Sequence, residues 1–375
     1  MRINRRDTIM LVCMLLLCVI LFQVNLFPKK DPEPGSKERA VVLSIDNRNL
    51  ETFSLLQKGT QHLKVKVLSG KWRGQEFSAV NEVRAQMELD KVFSPGDKVL
   101  VAILDDADPA VDTLYAQDHY RIGHTLLLFA LFAVLLICFG KITGFNALLS
   151  FVFSCLMIWK LVIPLCLLGW NALLVSFVTC TILSAVIIFL VAGLNRKGTT
   201  AFLASILGVY ASSAMAYIFT HLFKINGAVM PYSQALLYSG YEFLSLSDIY
   251  IAAIFLSSSG AVMDLAMDVA AGMQEVINKR PELPRKELMH SGFRMGRSVV
   301  GTMTTTLLLA YSGGYLTLMM TFAAQGTSPI DFINNPHVAS ELVKTLVGSF
   351  GLVLVAPFAA ITGSFLLIKE KELKH

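Results

Sequence analysis

Ionised side chains are scarce in this chain. Only 16% of its 375 residues are Asp, Glu, Lys or Arg, against about 25% in an average soluble domain. That is too few charges to cover the surfaces of two or three soluble domains, which argues against an ordinary cytosolic enzyme. A 54% hydrophobic content argues equally against a disordered chain. The net charge of +5 is small for the length and points away from nucleic acid as a partner. Two motifs are also missing. No His-Glu-x-x-His is present, which a zinc protease needs, and no Gly-rich phosphate loop runs into Lys-Ser/Thr, which an ATP-driven pump needs unless a partner supplies the ATPase. Cysteine is absent from 28–121, so neither a disulfide nor a Cys metal site can form there. Cys13, Cys18, Cys138, Cys155, Cys166 and Cys180 all fall in apolar runs, where free Cys acts as small apolar filler. No metal and no cofactor is expected.

What is present is a set of long apolar runs, with a mean hydropathy of +0.60 over the chain. A bilayer core takes about 20 apolar residues as helix. Runs near that length lie at 8–27, 124–139, 145–160, 171–193, 199–222, 248–270, 298–324 and 343–368. The pattern predicts a mainly α, polytopic membrane protein of about eight transmembrane helices. Residues 1–27 read as a signal anchor, 28–121 as an exported domain, and 122–375 as a seven-helix membrane domain with a basic cytoplasmic loop at 279–297. Between Phe145 and Leu194 the only ionisable residue is Lys160. Two helices fit there if the chain reverses around Trp159, Lys160, Pro164, Gly169 and Trp170, with both Trp at a membrane surface. A short re-entrant piece at Leu161–Leu168 is the alternative. With both termini inside, the short inside segments carry 15 Lys/Arg and the short outside segments 3, which are Lys160, Lys224 and Lys344. That bias fits a bacterial plasma-membrane protein with cytoplasmic termini and 28–121 outside, since long domains are exempt from the rule.

The exported segment holds 14 Lys/Arg and 15 Asp/Glu, an ordinary soluble composition. Strands are expected at 38–47, 61–69, 75–83 and 97–104. His62-Leu63-Lys64-Val65-Lys66-Val67 alternates polar and apolar, as a strand with one buried face does. Ser94-Pro95-Gly96-Asp97 is a turn signal. Short strands at this spacing predict a small β domain, an OB-like barrel or a sandwich. Asp105, Asp106, Asp108 and Asp112 follow the last of them. They lack the Gly and the closing Glu of a calcium loop and read as a solvated acidic loop.

Two spans carry small residues at every fourth position: Thr200, Ala204, Gly208, Ser212, Ala216 and Thr220 in the fifth, and Ser298, Thr302, Thr306, Ala310 and Gly314 in the seventh. Such stripes let helix backbones approach closely in lipid. Ala204, Gly208, Ser212, Gly301 and Gly313 are expected as packing positions. The Thr-rich seventh span, with Thr302 and Thr305, is the candidate for a hydroxyl-lined pathway. The sixth span runs Ser259-Gly260-Ala261-Val262-Met263-Asp264 into Asp268 and Glu275. At about 100° per residue the three acids and Gly260 share one face. Charge inside a membrane is rare and lines a cavity or finds a partner. Asp264 is the strongest candidate, Asp268 lies near the inner surface, and Glu275 reaches water. Arg297, or Arg294 in its place, is expected to pair with Asp264 or Asp268.

These residues also resemble the YibE/F-like membrane proteins. The resemblance rests on Gly260-Ala261-Val262-Met263-Asp264 through Glu275, and on Gly296-Arg297-Ser298-Val299-Val300-Gly301-Thr302-Met303 through Leu309-Ala310-Tyr311-Ser312-Gly313-Gly314. Leu161–Gly169 with Pro164, Gly198-Thr199-Thr200, Pro95-Gly96-Asp97-Lys98-Val99 and Tyr120-Arg121 are similar too. The resemblance covers most of the chain and implies a bacterial multi-pass protein with an outside β domain. It implies a permease-like role at most and brings no catalytic residues.

Three functions are weighed on these grounds. A permease or ion-coupled transporter of a small solute fits the intramembrane Asp, the Thr- and Gly-rich helices and the Pro-broken segment, since transporters bind at such discontinuities. A sensor or assembly protein, binding a ligand or partner through its outside domain, is the alternative. An intramembrane enzyme is disfavoured, because Asp264 and Asp268 share one helix and His124, His221, His290 and His337 lie near or beyond helix ends. Beyond the bilayer, the expected partners are a solute or ion and a second copy or another membrane protein.

Overall fold

The computed structural model describes residues 5–28, 35–104, 107–109 and 111–368. The chain forms two compact units, 29–135 and 1–28 with 136–375.

The first unit is a β-barrel. Its strands are β1 (Ser36–Asp46), β2 (Leu50–Phe53), β3 (Leu56–Val67), β4 (Glu76–Arg84), β5 (Lys98–Ile103) and β6 (Thr113–His119). The sheet runs β1-β5-β6-β4-β3 and closes through a β1–β3 pairing, with β2 added at the free side of β3. Every pairing is antiparallel except β4–β6. Closure of five strands with this single parallel pair matches the Greek-key order of an OB-type barrel. The alternation read from 62–67 is realised: Leu63, Val65 and Val67 are buried, while Lys64 and Lys66 face out. The four expected strands are β1, β3, β4 and β5. β6 is not among them, although it closes the barrel. It buries only Leu114 and Ala116 and ends in Gln117-Asp118-His119, too weak an alternation to stand out. Inside the barrel Gln61 is fully buried. Its amide donates to Phe93 O at 2.9 Å and Asn47 Oδ1 at 2.9 Å, and accepts from Phe93 N at 2.9 Å and Asn81 Nδ2 at 3.2 Å. Asp105 and Asp106 lie outside the described residues. Asp112 accepts from the Asp108 amide at 2.6 Å, and no group of three or more metal-ligating side chains occurs among the described residues.

The helices are α1 (Arg5–Gln23), α2 (Ile122–Met157), α3 (Ile163–Leu167), α4 (Ala172–Ala192), α5 (Arg196–Leu222), α6 (Ser233–Tyr238), α7 (Leu246–Lys279), α8 (Arg285–Gly313), α9 (Leu316–Ala324), α10 (Pro329–Asn334) and α11 (Pro336–Leu366). Among the described residues, five helical stretches are long and apolar enough to cross a membrane, and six if the bent pair α8–α9 counts as one; the apolar part of α1 is shorter, Leu11–Gln23. The eight expected runs map onto these with two corrections. The expected separation of 124–139 from 145–160 is present within α2, which is broken at Lys141, at a positive φ of 50°. There the chain doubles back so tightly that a Cβ on Gly144 would meet the Leu136 carbonyl. First, of the residues expected at the next reversal, Trp159, Lys160 and Pro164 stay in helix, and the alternative re-entrant piece at 161–168 does not form. A π-helical turn, Ile158–Val162, carries the helix into α3 with Pro164 in its first turn. The wider turn is a common way to absorb the hydrogen bond and space that proline takes from a helix. The reversal comes at Gly169, at φ 86°. Second, 298–324 is not one straight helix, for α8 and α9 meet at 64°.

The basic segment 279–297 is likewise mostly helix. Only Arg280–Pro284 separates α7 from α8, and Leu288, Gly292 and Gly296 pack from the first turns of α8.

Replacing Gln61 by Leu leaves the Phe93 amide and the Asn81 side chain without their buried partner. The expected loss is about 1–3 kcal/mol of barrel stability, read in the full-length protein as lost hydrogen-exchange protection along β3 and β4.

Candidate functional site

The packing of α5 decides which face α7 keeps open. All six small residues of the α5 stripe, Thr200, Ala204, Gly208, Ser212, Ala216 and Thr220, are buried. A Cβ on Gly208 would lie 2.8 Å from Val262 of α7 and 3.1 Å from Val355 of α11. A Cβ on Gly351 of α11 would run into the Ser212 hydroxyl. Ala204, Gly208 and Ser212 are thus buried where α5 meets its neighbours. The stripe on α8 behaves oppositely. Ser298, Thr302, Thr306, Ala310 and Gly314 are all exposed, and nothing lies within 4 Å of a Cβ on Gly301 or Gly313. Among the described residues, no helix packs on those two glycines.

With Val262 turned inward, the polar face of α7 turns outward. Ala253, Ser257, Gly260, Asp264, Asp268, Ala271 and Glu275 are each exposed. They fall within about 40° of Asp264 around the helix, as the spacing predicted. Ser259 is not among them. It is buried, gives its hydroxyl to Leu256 O at 2.8 Å and faces Cys180 of α4.

The expected pairing of Arg297 is not formed. No ion pair joins Arg294 or Arg297 to Asp264 or Asp268 among the described residues. The reason is rotation. α8 meets α7 through Met295, whose sulfur lies 2.6 Å from the place of a Cβ on Gly272. Arg297, two residues on, is about 200° round the helix from that contact. Both arginines are exposed. Thr302 and Thr305 are exposed as well, and each hydroxyl donates within its own helix, to Val299 O at 2.9 Å and Gly301 O at 3.1 Å.

A second polar group emerges that sequence reasoning missed. At the α8–α9 bend the Gly314 and Tyr315 amides fall back to Tyr311 O and Ser312 O at 3.2 and 3.1 Å, closing the last helical turn. Against the bend lies Lys344 of α11, 5.4 Å from the centroid of the Tyr311 ring and 6.0 Å from that of Tyr315. Its Nζ is 4.0 Å from Glu341 Oε1, and the two side chains are only 27% and 16% exposed. The Glu341 carboxylate interacts with the Tyr315 hydroxyl, while its buried Oε2 has no hydrogen bond of good geometry among the described residues. Tyr311 reaches α7 through a 3.3 Å hydroxyl contact with Ser257, and Tyr250 of α7 donates to Ser340 O at 2.6 Å. The acidic face of α7 is thus joined at Ser257 to a half-buried carboxylate–ammonium pair framed by tyrosines. Lys344, counted with the outside segments in the charge distribution, is a member of this pair, and Glu341 carried no expectation at all. A signal exists in Glu341-x-x-Lys344 at the very start of the run 343–368, with Tyr311-Ser-Gly-Gly-Tyr315 marking the break.

Comparison with known families agrees with this architecture. The YibE/F-like protein model matches residues 128–369, and the YibE/F family N-terminal domain matches residues 36–118. The chain belongs to the YibE/F-like family. The two matches separate barrel and helices where the chain itself does. No curated protein and no solved structure matches it.

Replacing Gly351 by Ala should lower the thermal stability of the detergent-solubilised protein, since overpacking a tight contact costs about 1–3 kcal/mol. Adding Ser212→Gly removes the obstructing hydroxyl and should restore most of the melting temperature. A double mutant no better than Gly351→Ala would count against the α5–α11 contact as the cause.

Proposed function

We propose that this YibE/F-like protein is an integral membrane protein that moves a small solute, with a cation as coupling partner. The reading rests on one observation. A helix otherwise long enough to span a bilayer bends by 64° beside the Glu341–Lys344 pair. Broken helices at membrane depth are tolerated where protein or a water-filled cavity shields the freed backbone, and transporters place substrate and coupling-ion sites at such breaks. Asp264 and Asp268, along the same helix as Ser257, extend this polar zone towards the other end of α7. In the proposed topology the helix broken at Lys141 contributes two passes and α8–α9 one, giving eight with α1. Both termini then lie in the cytoplasm of a bacterial cell, with 36–118 outside, as the 15-to-3 distribution of basic residues favours.

A second reading has its own support, in the barrel. Phe53, Leu55, Leu56, Met87 and Leu89 are 59%, 81%, 38%, 69% and 54% exposed, at the β2–β3 hairpin and the segment after β4. Exposed apolar groups gathered in one region favour recognition of a protein partner, as a sensor or assembly factor would use.

The test is uptake and efflux profiling of solute classes in a deletion strain complemented by wild type, Glu341→Gln and Asp264→Asn at matched expression. At least one solute class should respond to deletion, recover with wild type and stay unrecovered with Glu341→Gln. A flat profile across every class refutes transport. Leu55→Ser with Met87→Ser separates the two readings, because it should leave solute movement intact and abolish the deletion phenotype's rescue only if the barrel's partner is the function.

A further inference from the structure

The face shared by α7 and α8 is open in the single chain, and its chemistry is wrong for lipid. On α7 it presents Ser257, Gly260, Asp264 and Asp268. On α8 it presents Arg294, Ser298, Gly301 and Thr305, with Arg297 at its margin. Asp264 lies at membrane depth on this reading, where an unpartnered carboxylate is costly, and the charges beside it at the inner surface turn to a partner or to water. The shape is wrong for lipid as well. A Cβ added to Gly260 or Gly301 would have nothing within 4 Å, so the surface is a shallow trough of backbone. Troughs of this kind accept another helix at close range.

We infer that this face is closed by a second copy of the chain, related by a two-fold axis along the helices, so that the acids of α7 in each copy meet the arginines of α8 in the other. The inference rests on the reading that these helices span a membrane. Self-complementarity selects the occupant. The face carries acid on one helix and base on its neighbour, and a two-fold axis sets acid against base twice over, as an isologous interface requires. The heights agree. Gly272 sits against Met295, and Ser257 against Tyr311, so α7 and α8 are antiparallel and Asp268 lies level with about residue 299. Arg297 is two residues from that level, roughly 3 Å along the axis, and Arg294 about 7 Å. Rotation denies Arg297 to the acids of its own chain, and a two-fold axis preserves height while reversing facing. The pair that fails within one chain forms between two.

The experiment counts subunits of the full-length protein in liposomes by single-molecule photobleaching over a range of protein densities. Wild type should be dimeric. Asp268→Arg and Arg297→Asp should each weaken the dimer, raising its dissociation constant about tenfold or more, and the doubly exchanged chain Asp268→Arg/Arg297→Asp should regain wild-type association. Gly301→Trp provides a variant with no neighbour to disturb in its own chain, and it should also dissociate the dimer. A wild type that stays monomeric at every density overturns the inference, as does a dimer indifferent to Gly301→Trp and to both single exchanges. Alkaline carbonate washing of membranes keeps this result apart from the reading beneath it. A chain released by the wash overturns both, while one retained but monomeric overturns the dimer alone.

Discussion

The helical unit depends on how near α5 can come to its neighbours. Backbone approach without intervening side chains, at Gly208 and Gly351, lets α5 lie against α7 and α11 together. Everything about α7 follows from that contact. Val262 must point at α5, and the helix then buries fifteen residues on its inward faces. Rotating α7 to hide Asp264 would withdraw Val262 and leave a void beside a glycine. A large side chain at position 208 would undo the arrangement more surely than any change at the acids. The polar face is exposed because small residues elsewhere fix the rotation of the helix that carries it.

The same geometry concentrates charge in two zones joined along α7. One is the acidic row from Asp264 to Glu275. The other is the Glu341–Lys344 pair, roofed by Tyr311 and Tyr315 at the bend of α8 into α9. They differ in kind. The row is open and its charges lie on one helix, whereas the pair is enclosed by three helices and largely compensates itself. Replacing one member of an enclosed pair leaves the other uncompensated, which is more damaging than losing an open charge. The pair therefore combines structural and chemical roles in a way that the row does not.

Sequence patterning makes some of this legible. Period-2 alternation places β3 and the core residues Leu63, Val65 and Val67, and the 100° rule puts Gly260, Asp264, Asp268 and Glu275 on one face correctly. Both are local properties that need no knowledge of neighbours. What fails needs tertiary information. The stripes of α5 and α8 are alike as strings, yet one is enclosed on all sides and the other is open, because only the rotation of each helix against its partners decides. Height alone matches Arg297 to Asp268, and the angle about α8 spoils the match. β6 is illegible because its burial comes from closing the barrel and not from its own composition. The Glu341–Lys344 pair is hidden because it lies on α11 while its tyrosines come from α8 and the bend that follows it, apart in sequence.

The threonines of α8 have one more consequence. Thr302, Thr304, Thr305 and Thr306 each give their hydroxyl hydrogen to a carbonyl three or four residues back. Each side chain thus carries its hydrogen-bond partner with it. Such a surface keeps the same internal bonds whether it faces water, acyl chains or another helix, so the free-energy difference among those surroundings is small. Contacts made on it can form and part without breaking a hydrogen bond, which suits a surface where association is reversible.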